Sequence, residues 1–62
     1  MKIHDIALIC SLFRLKIGAT QKDVAKDTGY TIQSISAFEN GRTNNAEIFS
    51  WYIEKGLVMD DD

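Results

Sequence analysis

Amide, hydroxyl and basic side chains cluster between residues 20 and 44 of this 62-residue chain. An exposed glutamine such as Gln33 can form two hydrogen bonds to the edge of an adenine, and an exposed Ile32 can contact a thymine methyl group. Hydroxyl, amide and basic groups can bind phosphate oxygens, as can backbone N–H groups at the start of a helix. Each of these side chains taken alone is typical of a solvated surface, but their clustering favours contact with nucleic acid.

The residue types that catalysis needs are nearly absent from the chain. The sole histidine, His4, and the sole cysteine, Cys10, both fall in the first predicted helix. Cys10 has the spacing of a small buried residue, whereas His4 is expected at the surface. The sequence contains no metal-ligand cluster, no glycine-rich phosphate loop and no nucleophile with a base. We therefore expect no enzyme activity, no metal or other cofactor, and no small-molecule substrate.

Two short helical patterns carry most of the polar cluster, and they meet at Gly29 in the stretch TQKDVAKDTGYTIQSISAFENGR (residues 20–42). Thr20 followed by Asp23 predicts a capping box at the start of the first helix, which Gly29 would end. Thr31 can cap the second helix, and Asn40 with Gly41 would end it. Two helices joined by a tight turn outline a helix-turn-helix, with residues 20–39 as the motif. The apolar positions expected in the core are Val24, Ala25, Ile35 and Phe38.

A longer helix is predicted before this motif, from about Ile3 to Ile17, and it has two apolar stripes. One stripe is expected to face the core and contains Ile6, Ile9, Cys10, Phe13 and Ile17. At 100° per residue the other stripe, Leu8, Leu12 and Leu15, lies on the opposite side. Either a loop or the C-terminal tail covers this second stripe, or it is a surface for self-association or for a protein partner.

A fourth helix is predicted from Ala46 to Lys55, with Asn45 as its cap and Gly56 after its end. Its core positions are expected to be Ile48, Phe49, Tyr52 and Ile53. Trp51 lies off this stripe, so it is expected to be half-exposed, either as a packing lid or as an interface anchor. No strand pattern occurs. The expected fold is therefore all-α, a compact four-helix domain over residues 1–59 with a short C-terminal turn as an open fifth element and a disordered acidic tail at 60–62.

Charge and cysteine content limit the class of protein. The net charge is −2, but residues 1–46 carry six lysines and arginines against four acidic residues. Residues 47–62 carry one lysine against five acidic residues, so a mildly basic face can coexist with an acidic tail. A single cysteine favours an intracellular, cytoplasmic protein. No apolar run approaches the roughly 20 residues that a membrane span needs, so we expect no membrane contact.

The stretch RLKIGATQKDVAKDTGYTIQSISAFENGRT resembles the Cro and phage-repressor type of helix-turn-helix domain, the lambda-repressor-like or XRE family. The matching positions are Arg14, Thr20, Gln21, Val24, Ala25, Gly29, Ile35, Glu39, Asn40, Gly41 and Arg42. The resemblance covers about residues 6–55 and implies a lambda-repressor-like fold that binds double-stranded DNA.

The resemblance also implies roles for individual residues, because the second motif helix of such domains enters the major groove by its N-terminal end. The base-contacting positions would be Thr31, Ile32, Gln33, Ser34 and Ala37. The phosphate-contacting positions would be Gln21, Lys22, Asn40, Arg42 and Asn44. The family's buried ion pair would here be Arg14 with Glu39.

Three departures from the family pattern leave two hypotheses open. Ile32 and Ala37 are apolar where base readers are often polar, little sequence follows Gly56 for the usual fifth helix, and the first helix carries the leucine stripe. The first hypothesis is a small Cro-like transcriptional regulator from a phage, prophage or mobile element, acting as a homodimer. The second is an interaction module, an antirepressor or co-repressor, that binds another regulator. The partner or dimer surface would contain Leu8, Leu12, Leu15 and Trp51.

Overall fold

The computed structural model describes residues 3–58, with side chains from residue 5 onward. That range contains no strand and four helices, α1 (Ile3–Lys16), α2 (Gln21–Thr28), α3 (Ile32–Glu39) and α4 (Ala46–Glu54). The prediction of an all-α fold with four helices is confirmed. Residues 55 and 56 add a turn, and no fifth helix begins before residue 58. Met59, the predicted acidic tail at 60–62 and the His4 side chain lie outside this description.

The helix starts follow from side-chain caps within the sequence. The Thr20 hydroxyl accepts from the Asp23 N–H at 3.1 Å, and the Asp23 carboxylate accepts from the Thr20 N–H at 2.9 Å, which completes the predicted capping box. Thr31 caps α3 by accepting from the Ser34 N–H, and Asn45 caps α4. Each cap satisfies backbone donors that a helix start leaves without an acceptor.

Gly29 ends α2 in the left-handed region, at φ 82°, where its N–H donates to the Ala25 carbonyl. A side chain at this φ would be strained, so the glycine allows the chain to reverse within two residues and begin α3. This is the turn of the helix-turn-helix.

The four helices surround one apolar core. Phe38 of α3 stacks on Tyr52 of α4, with ring centroids 5.7 Å apart. The partly buried Ile6, Ile9 and Phe13 of α1 pack against the same core. The buried members are Cys10, Val24, Ala25, Ile35, Phe38, Ile48, Trp51, Tyr52 and Leu57. Within residues 3–58, no helix combines the length and apolarity that crossing a membrane requires.

The prediction that Ile17 belongs to the core stripe of α1 is wrong. Ile17 is 44% exposed and follows the last residue of the helix, where the chain turns through Gly18 at φ 77°. The 100° periodicity no longer applies beyond Lys16, so the stripe stops at Phe13. Ala7 and Arg14 are buried instead, because α1 packs against both α3 and α4.

Trp51 and Ile53 exchange the positions that periodicity predicted for them. Trp51 is only 5% exposed, its ring meets Tyr52 edge-on, and its Nε1–H donates to an Asp27 carboxylate oxygen at 2.8 Å. Ile53 is 43% exposed. The reason is that α4 packs against α2 as well as α1, so its buried side includes the surface that faces Asp27. Trp51 is therefore a core residue and not part of an exposed partner surface.

This exchange gives a direct test of the packing. Trp51→Ala should lower the free energy of unfolding by about 3–5 kcal/mol, since it removes a large buried ring. Ile53→Ala, at a half-exposed position on the same helix, should lower it by less than about 1.5 kcal/mol. Urea unfolding followed by circular dichroism measures both. Equal losses, or a larger loss for Ile53→Ala, would contradict this packing.

Candidate nucleic-acid interface

The end of α3 is held by a buried ion pair with α1. The Arg14 Nε–H donates to Glu39 Oε2 at 2.8 Å, and a second guanidinium nitrogen donates to Glu39 Oε1 at 3.1 Å. A third N–H of Arg14 donates to the Ala19 carbonyl at 2.9 Å. Both residues are 8% exposed. The two parallel bonds fix the relative orientation of the planar groups, which a single point contact would not do.

Two further donors reach the same carboxylate. The Gln21 side-chain amide on α2 donates to Glu39 Oε1 at 3.2 Å, and the Tyr52 hydroxyl on α4 donates to Glu39 Oε2. The two oxygens of Glu39 therefore accept four hydrogen bonds. In the described part of the chain, no buried side-chain nitrogen or oxygen is without a partner. Since an unmatched buried charge is strongly unfavourable, this complete set of donors is what makes the buried glutamate stable.

The electrostatics of this network keep Glu39 ionised. Burial by itself raises the pKa of the Glu39 carboxyl group, but the hydrogen bonds from Arg14, Tyr52 and Gln21 and the charge of Arg14 together outweigh it. The pKa of Glu39 therefore lies below its ordinary value of 4.5. Burial and the hydrogen bond to Glu39 raise the pKa of the Tyr52 hydroxyl, so this group remains a proton donor.

With the C-terminal end of α3 fixed, its N-terminal end lies at the surface. Thr31, Ile32 and Gln33 are exposed, and Ile32 is 46% exposed. Ser34 and Ala37, the other two candidate base-contacting positions, are only partly exposed. Ser34 and Ala37 lie beside Ile35 and Phe38, which are buried in the core. The part of α3 that carries them therefore packs partly against the other helices.

The hydroxyls of Thr31 and Ser34 already have a role in the helix cap. Thr31 Oγ1 accepts from the Ser34 N–H at 3.1 Å and donates to Ser34 Oγ at 3.0 Å. The side chain of Gln33, by contrast, has no hydrogen bond within the described part of the chain. Its amide is therefore the group at this end of α3 with both donor and acceptor capacity available.

The candidate phosphate-contacting residues lie at two places, the start of α2 and the loop after α3. Lys22, Arg42 and Asn44 are exposed. Asn40 is exposed too, but its side-chain amide donates to the Ser36 carbonyl at 2.8 Å. Gln21 is partly buried because its side chain is bound to Glu39, which leaves its backbone N–H at the helix start as the group that can reach a phosphate.

Negative charge also lies at the start of α2. The Asp23 carboxylate belongs to the capping box, and the hydrogen bond from the Thr20 backbone lowers its pKa. The ionised group reduces the positive potential of the helix start. Lys22 and Arg42 are therefore the main sources of positive charge at these two places.

The loop after α3 is ordered by backbone hydrogen bonds. The Gly41 N–H donates to the Phe38 carbonyl at 3.1 Å and the Arg42 N–H to the Ala37 carbonyl at 2.9 Å, with Gly41 at φ 77°. These bonds satisfy carbonyls that the end of α3 leaves open. The backbone of Arg42 thus has a fixed position relative to α3.

Potential metal ligands do not cluster in the described part of the chain. Among the described residues, no group of three or more histidine, cysteine, aspartate or glutamate side chains could hold a metal ion. Burial raises the pKa of the Cys10 thiol to about 12, so this cysteine is not a thiolate nucleophile at neutral pH.

A comparison with protein-family models matches residues 12–45 to a helix-turn-helix family. The match spans more than half of the chain and contains α2, α3 and the loop that follows. This chain belongs to the lambda-repressor-like (XRE) helix-turn-helix family. No curated protein and no solved structure matched the chain.

The helix-turn-helix match includes both members of the Arg14–Glu39 pair and all ten candidate base- and phosphate-contacting positions. It supports a DNA-binding regulator on a non-enzymatic fold. Tyr52, which lies outside the match, is the part of the Glu39 network that sequence reasoning missed. Periodicity predicted burial of its ring, but no sequence signal indicated the partner of its hydroxyl group.

The helix-turn-helix domain should depend strongly on Arg14. Arg14→Met leaves Glu39 buried with a charge that has lost its main partner, so the free energy of unfolding should fall by about 3–5 kcal/mol. Lys16→Met removes an exposed basic residue from the same helix and should change it by less than about 1 kcal/mol. Thermal and urea unfolding measure both variants. If Arg14→Met were as stable as Lys16→Met, the pair would contribute little to the fold.

Acid should destabilise the domain through Glu39. Because the folded-state pKa of Glu39 is lowered, its contribution to stability is complete above its unfolded value near 4.5 and is lost as pH falls through the lower folded value. The free energy of unfolding should therefore decrease below about pH 4.5 in the native chain. Glu39→Gln should be less stable at neutral pH and lose less stability on acidification. If the free energy of unfolding fell equally steeply with pH in the native chain and in Glu39→Gln, this role of Glu39 would be contradicted.

Proposed function

We propose that this chain is a transcriptional regulator that binds double-stranded DNA by placing the N-terminal end of α3 in the major groove. The observation that supports it most is that the family match coincides with an α3 whose end is fixed by Glu39 and whose start exposes Gln33. A groove-reading helix needs both properties, since base contacts require a side chain of known position with free hydrogen-bonding groups.

In this proposal, sequence reading rests mainly on two neighbouring residues. Gln33 reads an adenine through its free amide, and Ile32 contacts a thymine methyl group. Thr31, Ser34 and Ala37 adjoin the same bases, but the first two have their hydroxyls in the α3 cap. Direct readout through so few groups implies that DNA shape contributes to specificity as well.

Phosphate contacts on either side of α3 would set its depth and register in the groove. At the start of α2 these contacts come from the Gln21 backbone N–H and the Lys22 side chain. In the loop after α3 they come from Asn40, Arg42 and Asn44. Two cations are a modest electrostatic footprint, so we expect weak non-specific binding and a shallow dependence of affinity on salt.

The finer assignment is a small Cro-like regulator of phage, prophage or mobile-element origin, acting in the cytoplasm and without a cofactor. As a homodimer it would present two α3 helices to half-sites about 34 Å apart on a palindromic operator.

A second candidate function rests on α1. Leu8, Leu12 and Leu15 are 57%, 56% and 60% exposed, and together they form a continuous apolar stripe. This stripe favours an interaction module that binds another regulator, as an antirepressor or co-repressor. The two functions are compatible, because the stripe and the exposed end of α3 involve different helices.

A salt titration of duplex binding tests the DNA-binding proposal. The logarithm of affinity should fall linearly with the logarithm of salt concentration, in proportion to the number of phosphates contacted. Fluorescence anisotropy with random-sequence and selected duplexes gives the slope. Absence of binding to any duplex at about 50 mM salt would overturn the proposal, because low salt favours every phosphate contact that the protein makes.

Three variants separate the roles within the same titration. Lys22→Ala should weaken binding to every sequence and reduce the salt slope by about 1, while Gln33→Ala should relax preference at one base pair and leave the slope unchanged. Lys55→Ala is the matched control, since it removes an equal charge from a lysine that lies over the Trp51 ring of α4. A slope change as large in Lys55→Ala would show that net charge, not a phosphate contact, is responsible.

A further inference from the structure

One side of α1 is apolar and exposed from Leu8 to Leu15. Leu8, Leu12 and Leu15 have the spacing i, i+4, i+7, so their side chains form a stripe about 10 Å long. Each is more than half exposed. Cys10 and Arg14 are buried on the other side of the helix, so the stripe faces away from the core and from Glu39.

The part of the chain described after α4 does not cover this leucine stripe. Leu57 is buried in the core, whereas Val58 is 80% exposed. Within residues 5–58, no other side chain covers the stripe, since all three leucines are more than half exposed. A separate molecule with its own apolar stripe is the better occupant.

We propose that a second copy of this chain covers the leucine stripe, with the two α1 helices packed antiparallel about a two-fold axis beside residues 11 and 12. In this arrangement Leu8 lies opposite Leu15 of the second copy, and the two Leu12 side chains meet near the axis. The alternating spacing of four and three is the one that allows leucines of two helices to interdigitate. A two-fold axis makes the surface complementary to itself, as a homodimer interface requires.

The charges beside the stripe favour the antiparallel direction. Asp5 lies in the first turn of α1 and Lys16 in the last turn. They are eleven residues apart, and at 100° per residue this separation is three full turns plus about 20°. Both side chains therefore flank the leucines on the same side of the helix. Antiparallel pairing places each Asp5 near Lys16 of the second copy, whereas parallel pairing would leave these opposite charges about 16 Å apart along the helix axis. The opposed helix dipoles also favour the antiparallel arrangement.

Pairing through the stripe uses none of the residues of the candidate nucleic-acid interface. Arg14 and its bonds to Glu39 lie inside the protomer, and Gln33 is on a different helix. Self-association therefore does not depend on DNA, and it can be measured in its absence. The contact is small, so we expect a dimer that dissociates on dilution.

Sedimentation equilibrium of the full chain without DNA tests the proposal over a concentration range of about 5–500 µM, which covers weak dimers. The native chain should shift from monomer to dimer across this range. Leu12→Glu should raise the dissociation constant at least about 100-fold, because two carboxylates would meet at an apolar axis. The matched control is Ile53→Glu, which adds the same charge at an exposed isoleucine of α4 and should leave the dimer intact. Circular dichroism checks that each variant is folded.

The direction of pairing is tested by cross-linking under mild oxidation. A mixture of Leu8→Cys and Leu15→Cys chains should form the mixed disulfide, and neither chain alone should cross-link readily. Lys16→Glu should weaken the dimer about tenfold, and adding Asp5→Lys to it should restore affinity.

A native chain that stays monomeric at the highest concentration would overturn the proposal, as would a dimer that Leu12→Glu does not affect. Efficient cross-linking of Leu8→Cys chains with one another would overturn the antiparallel arrangement. These outcomes are separate from the DNA titration, so loss of the dimer leaves the DNA-binding proposal standing, and loss of DNA binding leaves the dimer standing.

Discussion

One carboxylate connects all four helices of this domain. Glu39 lies at the end of α3 and accepts hydrogen bonds from Arg14 on α1, Gln21 on α2 and Tyr52 on α4. An apolar core of this size can tolerate shifts of one helix along another, but a buried charge cannot tolerate the loss of its donors. The network therefore selects one arrangement of the helices, even though its net contribution to stability need not exceed that of apolar side chains of equal volume.

That constraint explains how a short helix can present a precise surface. α3 has only eight residues, and it would be marginal as an isolated helix. Its start is set by the Thr31 cap, its middle by Ile35 and Phe38 in the core, and its end by Glu39. The backbone of Gln33, one of three residues exposed at the start, consequently has a defined position relative to the start of α2.

Two surfaces of the molecule carry different kinds of exposed side chain. Polar and basic groups lie at the starts of α2 and α3 and in the loop after α3, whereas the leucine stripe lies on the exposed side of α1. In the proposed DNA complex, few base-reading groups and two nearby cations limit what one protomer can gain from DNA. Pairing through α1 would compensate for this limit, because two linked protomers bind two half-sites with a much higher effective affinity than either alone.

The sequence by itself determined the features that depend on neighbours along the chain. The caps at Thr20, Thr31 and Asn45 and the glycine turn at Gly29 fixed the helix limits, because their hydrogen bonds span only a few residues. The family pattern supplied the pairing of Arg14 with Glu39. Only the tertiary structure decided which side of each helix is buried when several helices pack against it. Periodicity describes one helix, so it placed Ile53 in the core and Trp51 outside it, and it could not reveal that the Tyr52 hydroxyl meets Glu39.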